Sequence, residues 1–591
     1  MNRKLLHRAV PALLAAVGLV VQLSACVAAN QEPDETPDTD AFLVKAELLR
    51  GDALADWVRE SLDESPAGQP GYMAFFSVSD GTARAAVYSG MGDTLDAAWD
   101  AAANKASAAL RESGLSPRWV KADLIYHSET LSAADLSKAI TQAGNSSFRY
   151  GLAFDEEFHT ALLEGELNGA GIYDYDAGAV SLDMLNQYLE ESGRERLADL
   201  PESYQVFGCA SWLCDEENTV WGLDVSGPGT GRREPGLIDG DSARQLVSDA
   251  SAYLAGQIRE DGSFVYGIYS GSGQELEGYN MLHHAGALWA LVQGYRIAPE
   301  RVSAEKLQAS VEYMLDQTGY DAEGRAFLCE TQGGEIKLGG NALALIALTE
   351  YTETFQDVQY LEDCRALGGG IIAMLDPETG KFIHVLNGDL TPKETFRTIY
   401  YDGEAVYALA RLYGLTGEEI WLQGAQIALD QMIAEDRVPY KDQWFSYALN
   451  EVTKYTLDRP DYYQTALENA QKNLKDIYEQ ETAEPGYLEL LLSAFEVYDR
   501  LTQMGGNADG FDPRLLLGTI YVRADRQLDG LFYPEYAIYM SNPQQVLHTF
   551  MSRQNSFRVR IDDVQHNISG YYLYAKNYDR LLAYGLLENG N

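Results

Sequence analysis

The sequence predicts a mainly α-helical fold: an (α/α)6 toroid, a ring of six helical hairpins, over residues 236–591, preceded by a smaller α/β domain over 41–235. Three observations carry this expectation. From about residue 240, helical periodicity alternates regularly with loops. The helices fall into two sets of six that alternate strictly. The loops rhyme: "DGSFVY" (261–266), "AEGRAFL" (322–328), "ETGKFIH" (378–384) and "LDGLFYPEY" (528–536) each read as a tight glycine turn followed by alternating apolar residues.

The N-terminus reads as an export signal. "MNRKLLHR" is a basic start, "AVPALLAAVGLVVQ" a short apolar run, and "LSAC" closes it. Leu23-Ser24-Ala25-Cys26 resembles the lipobox of bacterial lipoproteins, which implies removal of residues 1–25 and a lipid (palmitate among the acyl groups) on Cys26. "VAANQEPDETPDTD" then reads as a disordered tether over 26–40, with a reach on the order of 20 Å. The expected location is the bacterial cell envelope, lipid-anchored and facing outward. The formal net charge of -45 argues against nucleic acid and anionic membrane surfaces as partners.

In the first domain, 72–92 reads as two strands meeting at Asp80-Gly81. A helix capped at Asp93 or Thr94 carries Trp99, Ala102, Ala106 and Leu110 on one face and stops at Gly114. "WVKADLIYHS" is a further strand, and 204–225 a hairpin turning at Asp215–Asn218. No phosphate loop or nucleophile elbow is present. Cys209, Cys214, Cys329 and Cys364 allow three disulfide pairings, which the sequence leaves open, and their spacing fits no zinc site.

In the ring, the amphipathic helices are expected near 241–258, 303–317, 357–375, 418–434, 460–480 and 512–527. The apolar, small-residue set is expected near 279–295, 339–354, 402–415, 442–457, 484–502 and 562–580. A helix that is apolar all round must be enclosed by neighbours. "GGNALALIALTEY" and "GEAVYALARLYGLTG" meet that demand, so this second set forms the inner wall.

This arrangement, on its repeat number and loops, resembles the six-hairpin glycosidase superfamily. "YYDGEAVYALARLYGLTGEEIWLQGA" is also similar to hairpins of sugar and uronyl epimerases of that architecture. The resemblance implies an active site in the funnel where the inner-helix N-termini converge. Lined up on that funnel, Asp402, Glu404, Asp563 and His566 are the candidate catalytic residues. Tyr279, Asn280, His283, His284, Arg397, Tyr401, Trp444 and Arg560 are the candidates for binding substrate. No metal or cofactor is expected. The bland alternative is helix capping by Asp402, Asp442 and Asp562, the last with Gln565 as a capping box.

These residue types suit sugar chemistry. The first reading is a glycoside hydrolase using paired carboxylates on a glycan or glycoconjugate. The alternative is a uronate or sugar epimerase or polysaccharide lyase, with His or Tyr as base. A third is a non-catalytic glycan- or cell-wall-binding lipoprotein. The anchor has a direct check: Cys26→Ser should move the protein from the membrane to the soluble fraction, and unchanged membrane association contradicts the lipobox.

Overall fold

The computed structural model describes residues 39–55, 58, 71–144, 147–331, 334–437 and 440–585. The expected signal peptide, the lipidation at Cys26 and the tether up to residue 38 lie outside the described residues. Among the described residues no helix is long and apolar enough to cross a membrane.

The first domain is a seven-stranded antiparallel sheet with helices on it, plus a small two-stranded ribbon in which Tyr173–Asp174 pairs with Ala179–Val180. The strands of the sheet are β1 (Tyr72–Ser79), β2 (Ala86–Gly92), β3 (Trp119–Ser132), β4 (Gly151–Ala153), β5 (Ala161–Leu162), β6 (Ser203–Cys214) and β7 (Val220–Gly222). They lie in the order β2-β1-β3-β6-β4-β5, with β7 also paired to β6. Helices α1 (Thr39–Ala53) and α2 (Leu95–Ser113) cover one face. Thr94 caps α2 by accepting from Ala97 N, and Gly114 ends it in the left-handed region at φ 70°. Alternation along β1 divides its side chains: Ala74, Phe76 and Val78 meet α1 and α2, while Met73 and Phe75 enter the core shared with the ring. Gly90 lets β2 approach α2, since a Cβ there would stand 2.2 Å from Ala102 N. The remaining helices of this domain are α3 (Ala133–Ala143), α4 (Glu164–Gly169) and α5 (Leu182–Glu191). Cys209, Cys214, Cys329 and Cys364 are all free thiols.

The second domain is the (α/α)6 toroid. The outer helices are α6 (Gly240–Gly256), α8 (Ala304–Asp316), α10 (Leu361–Ala373), α12 (Glu419–Ala434), α14 (Pro460–Glu479) and α16 (Pro513–Arg526). The inner ones are α7 (Met281–Ile297), α9 (Leu338–Phe355), α11 (Tyr400–Thr416), α13 (Gln443–Val452), α15 (Pro485–Gln503) and α17 (Ile561–Ala583). Each inner helix packs on the next, and α17 packs on both α15 and α7, so the ring is closed. The burial follows the sequence pattern. In α9 every residue from Leu338 to Thr352 is buried, whereas α8 buries only Leu307, Ser310, Val311 and Met314. Each fully buried Leu contributes about 1.5–3 kcal/mol over leaving it exposed.

Three of the four rhyming loops turn on a left-handed glycine: Gly262 at φ 87°, Gly324 at φ 78° and Gly380 at φ 71°. The fourth differs. Gln527–Gly530 is a 3-10 turn, and a long segment, 531–557, separates it from α17. That segment carries the first domain. Glu535, fully buried, takes a bidentate ion pair from Arg233 at 2.8–3.1 Å. Tyr539 Oη meets Ser77 Oγ at 2.9 Å, and Ala85 N donates to Ile538 O at 2.7 Å.

The ring axis is filled. Trp289 from α7 packs against Tyr407, Trp444 and Tyr447, with ring centroids 5.7–6.2 Å apart. Below this aromatic plug, every inner helix supplies a polar group to a network at the far mouth. Arg296 pairs with Glu350 (2.9 Å) and Arg411 with Glu350 (3.0 Å). Lys454 pairs with Glu451, Asn450 donates to Glu496 (2.7 Å), and Lys576 pairs with Glu496 (3.0 Å). The plug leaves the other mouth, where the inner helices begin, as the funnel.

Candidate functional site

The start of α17 is fixed before the helix begins. Arg558–Arg560 pair as a strand with Gly267–Tyr269, and Ile561 N donates to Tyr266 O at 3.0 Å. Arg560 then turns back over the first helical turn. Its guanidinium meets Asp562 at 2.9 Å and both oxygens of Asp563 at 2.9 and 3.0 Å. Asp562 Oδ2 lies 3.8 Å from His283 Nε2 on α7, and Asp562 Oδ1 is buried with no hydrogen-bond partner among the described residues. His283 stacks on Tyr266 at 5.4 Å. Asn280 caps α7 and donates to His283 Nδ1 at 2.9 Å, which leaves the His283 proton on Nε2, facing Asp562. Burial holds the His283 pKa below its ordinary value, with Asp562 opposing it.

One turn further along α17, His566 is part of a relay. Its Nδ1 meets Glu489 Oε2 at 2.8 Å, and Glu489 Oε1 accepts from Tyr447 Oη at 3.0 Å. Glu489 is fully buried, in the middle of the apolar run of α15. No hydrogen bond reaches His566 Nε2 among the described residues, and the ring, partly exposed, lies edge-on to Trp444 at 6.0 Å. Burial alone would lower the His566 pKa. The charge and hydrogen bond of Glu489, helped by Asp562 and Asp563, outweigh it and raise the pKa.

Beneath His566 sit two carboxyls. Glu404 on α11 is buried, with Oε2 unpartnered among the described residues. Burial first and Asp442 second push its pKa up to about 8. Asp442 caps α13 through Trp444 N at 2.8 Å, its Oδ2 is likewise unpartnered, and burial pushes it up to about 7. Gly339 makes room for this arrangement: a Cβ there would stand 2.3 Å from Glu404 Oε2 and 2.5 Å from the Tyr401 ring.

The other candidates are placed as follows. Both Asp402 oxygens are occupied, by His384 Nε2 at 3.0 Å and Arg437 at 2.7 Å. Tyr401 is buried against His384, and Trp444 is buried in the axial plug. Arg397 pairs at the rim with Glu335, at 2.8 Å, and Glu394. Tyr279 and His284 turn away from the funnel. His284 Nε2 meets Ser310 O of α8 at 3.0 Å, its Nδ1 is bonded to Tyr279 Oη, and burial pushes its pKa down to about 4. The structure thus brings Asn280, His283, Arg560, Asp563 and His566 to one opening. Glu404 lies behind it, and Asp402, Tyr279 and His284 are held in the wall. Sequence reasoning missed Glu489, Tyr447 and His384. A glutamate inside "LELLLSAF" was the available signal.

The rim adds exposed rings. Phe396 and Tyr440, from the loops leading into α11 and α13, and Tyr400, the first residue of α11, are 56%, 55% and 42% exposed.

No protein-family profile matches this chain, and no curated protein matches it in sequence. Solved structures resemble it. A D-mannose isomerase superposes with 10% identity and a TM-score of 0.46, over 58% of this chain and 99% of its own. The cellobiose 2-epimerase of Bacillus thermoamylovorans gives 12%, 0.43, 57% and 99% on the same measures. A family 76 glycoside hydrolase, a mannosidase from Bacteroides thetaiotaomicron, gives 11%, 0.41, 57% and 99%.

The raised Glu404 pKa has a consequence for stability. An unfolded glutamate ionises near 4.3, whereas the folded one holds its proton to about 8. Over that window the folded state binds more protons, so its contribution to stability falls as pH rises. Relative to wild type, Glu404→Gln should therefore gain in melting temperature between about pH 5 and pH 8. A difference that does not change with pH contradicts the assignment.

Proposed function

We propose that the funnel is the active site of a carbohydrate-active enzyme, and that its reaction is proton transfer at a sugar carbon next to a carbonyl, as in an epimerase, isomerase or lyase. The observation that carries this reading is the Tyr447–Glu489–His566 relay. A carboxylate on Nδ1 fixes the ring and its tautomer and supports the charged form, while Nε2 is left to exchange a proton with whatever occupies the funnel. The exposed rings of Phe396, Tyr400 and Tyr440 at the rim suit the apolar faces of pyranoses.

In this mechanism neutral His566 takes the proton from the carbon through Nε2. The C–H electron pair moves into the enolate of the adjacent carbonyl, and Glu489 stabilises the imidazolium that results. Delivery of a proton to the opposite face by a second acid, for which Nε2–H of His283 is available, gives an epimer, and the His566 imidazolium releases its proton to solvent. Expelling the substituent one carbon further on gives an unsaturated sugar instead. Asp562, Arg560 and His283 form the polar wall beside His566.

A second reading, glycoside hydrolysis, draws on the protonated Glu404 and the neighbouring Asp442, since a hydrolase needs an acid kept protonated near neutrality. Against it stand the burial of Glu404 and the occupation of both Asp402 oxygens. Together with the lipobox, either reading describes an enzyme held at the cell envelope and working on glycans outside it.

The test is turnover in D2O with a panel of reducing disaccharides and uronate oligosaccharides, followed by NMR. Wild type should incorporate deuterium at the carbon next to the carbonyl. His566→Gln should lose roughly 10²–10⁴-fold in rate with little change in melting temperature. Release of reducing ends without deuterium incorporation would favour the hydrolase, and full activity in His566→Gln would sink the relay.

A further inference from the structure

A second cavity, of about 310 Å3, opens between the sheet domain and the ring; Ser147, Arg149, Thr482, Asp529, Met551 and Arg553 are among the residues that line it. Its size is at the lower end of the ~300–1,000 Å3 usual for small-molecule sites, and domain junctions are a common place for them. It is separate from the relay and is built by four other segments: the residues around Ser147 and Arg149, the Gly227–Pro228 turn, the loop from α14 to α15, and the segment between α16 and α17.

Two guanidinium groups face this cavity. Arg553 is buried across the rings of Tyr536 at 4.9 Å and Phe557 at 5.0 Å, and pairs with Glu164 at 2.7 Å. Among the described residues Arg149 donates only to neutral oxygens: Thr230 O at 2.5 Å, Pro228 O at 3.2 Å and Tyr536 Oη at 3.5 Å. Asp529 in the lining is turned to Arg232, whose Nε lies 3.3 Å away, and Glu481 at the rim is exposed to water. Burial lowers the Arg553 pKa, and the charge of Arg149 lowers it further. Burial opposes the charge of Arg149, while Tyr536, Glu164 and Asp529 nearby favour it and raise its pKa; among the described residues no carboxylate is hydrogen-bonded to it, so its guanidinium stands at the cavity without a directly bound anion. The fork of N–H groups on arginine matches a planar oxyanion.

The cavity also borders the funnel. Glu481, Thr482 and Ala483 line it, while the next residue, Glu484, reaches the field of the funnel: burial raises the Glu484 pKa, and Asp563 adds to the rise. One loop therefore lines the cavity and leads into α15, whose N-terminus lies at the funnel mouth.

We infer that this cavity is an oxyanion subsite, taking the carboxylate or phosphate of an acidic sugar unit whose neighbour in the same glycan lies in the funnel. The inference rests on the carbohydrate reading for its ligand class and narrows that class to acidic glycans.

The test is calorimetric titration of the full chain with D-glucuronate, glucose 6-phosphate and glucose. At least one acidic sugar should bind ten or more times tighter than glucose, and which one does so identifies the anion. Arg149→Gln should remove that preference. Ala483→Trp, which fills the cavity without removing a charge, should do the same, while His566→Gln should keep it. Equal binding of all three sugars, or a preference that survives both Arg149→Gln and Ala483→Trp, overturns the subsite. If His566→Gln abolishes the binding and Arg149→Gln does not, the acidic group sits in the funnel. That outcome sinks the subsite and leaves the funnel reading intact. Retained acidic-sugar binding in a protein with no turnover on any glycan would do the reverse.

Discussion

The contact between the first and last inner helices is the constraint on which the rest depends. A ring of hairpins has no edge only if α17 returns to α7, almost three hundred residues earlier in the chain. Both ends of that seam are tied by directional bonds. At the funnel, Arg558–Arg560 pair with Gly267–Tyr269, and deeper in the seam Ser569 Oγ donates to Gln293 Oε1 at 2.9 Å. Between these ties the buried amide of Gln565 on α17 lies against Gly286 of α7, where a Cβ would stand 3.2 Å from its Oε1. Closure is what brings His283 beside Asp562 and sets His566 opposite Glu404.

The two mouths of the ring use charge differently. At the far mouth the buried ions of successive helices neutralise one another: Arg411 lies between Glu350 and Glu353, and Glu496 takes hydrogen bonds from Asn450 and Asn577. That network of mutually paired charges, in which Arg411 Nε is the buried atom left without a partner among the described residues, behaves as structure. At the funnel, buried oxygens of Glu404, Asp442 and Asp562 lack partners, and the pKa values of His283 and His566 move in opposite directions. Unsatisfied polar groups beside a cleft are costly to stability, and folds tolerate such groups where they work on a ligand.

Much of the ring was legible in the sequence because its two helix classes have different physical requirements. A helix touched on all sides, such as α9, can carry almost nothing polar, so "GGNALALIALTEY" announces an inner position. The starts of α11 and α17 were legible as polar clusters, but not which of their groups face the funnel. Asp402 reads as an accessible acid until Arg437 and His384, from two other loops, are seen to occupy it. Tyr279 and His284 read as one cluster with His283, yet adjacent helical positions point about 100° apart, and His284 turns into the α7–α8 seam. Glu489 was hidden because its partner, His566, is 77 residues away. The stretch 528–536 reads as a fourth rhyming loop leading into the last inner helix, but its turn is followed by the segment 531–557, which docks the sheet domain.

The account turns on whether His566 is a working acid–base group or a helix residue that happens to meet a carboxylate. The most direct measurement is an NMR titration of the His566 ring in wild type and in Glu489→Gln. The relay predicts a wild-type pKa above the ordinary ~6.5 of histidine, a fall in that value when the Glu489 charge is removed, and a further shift when a glycan fills the funnel. A His566 pKa at or below the ordinary value, unmoved by Glu489→Gln, would contradict it.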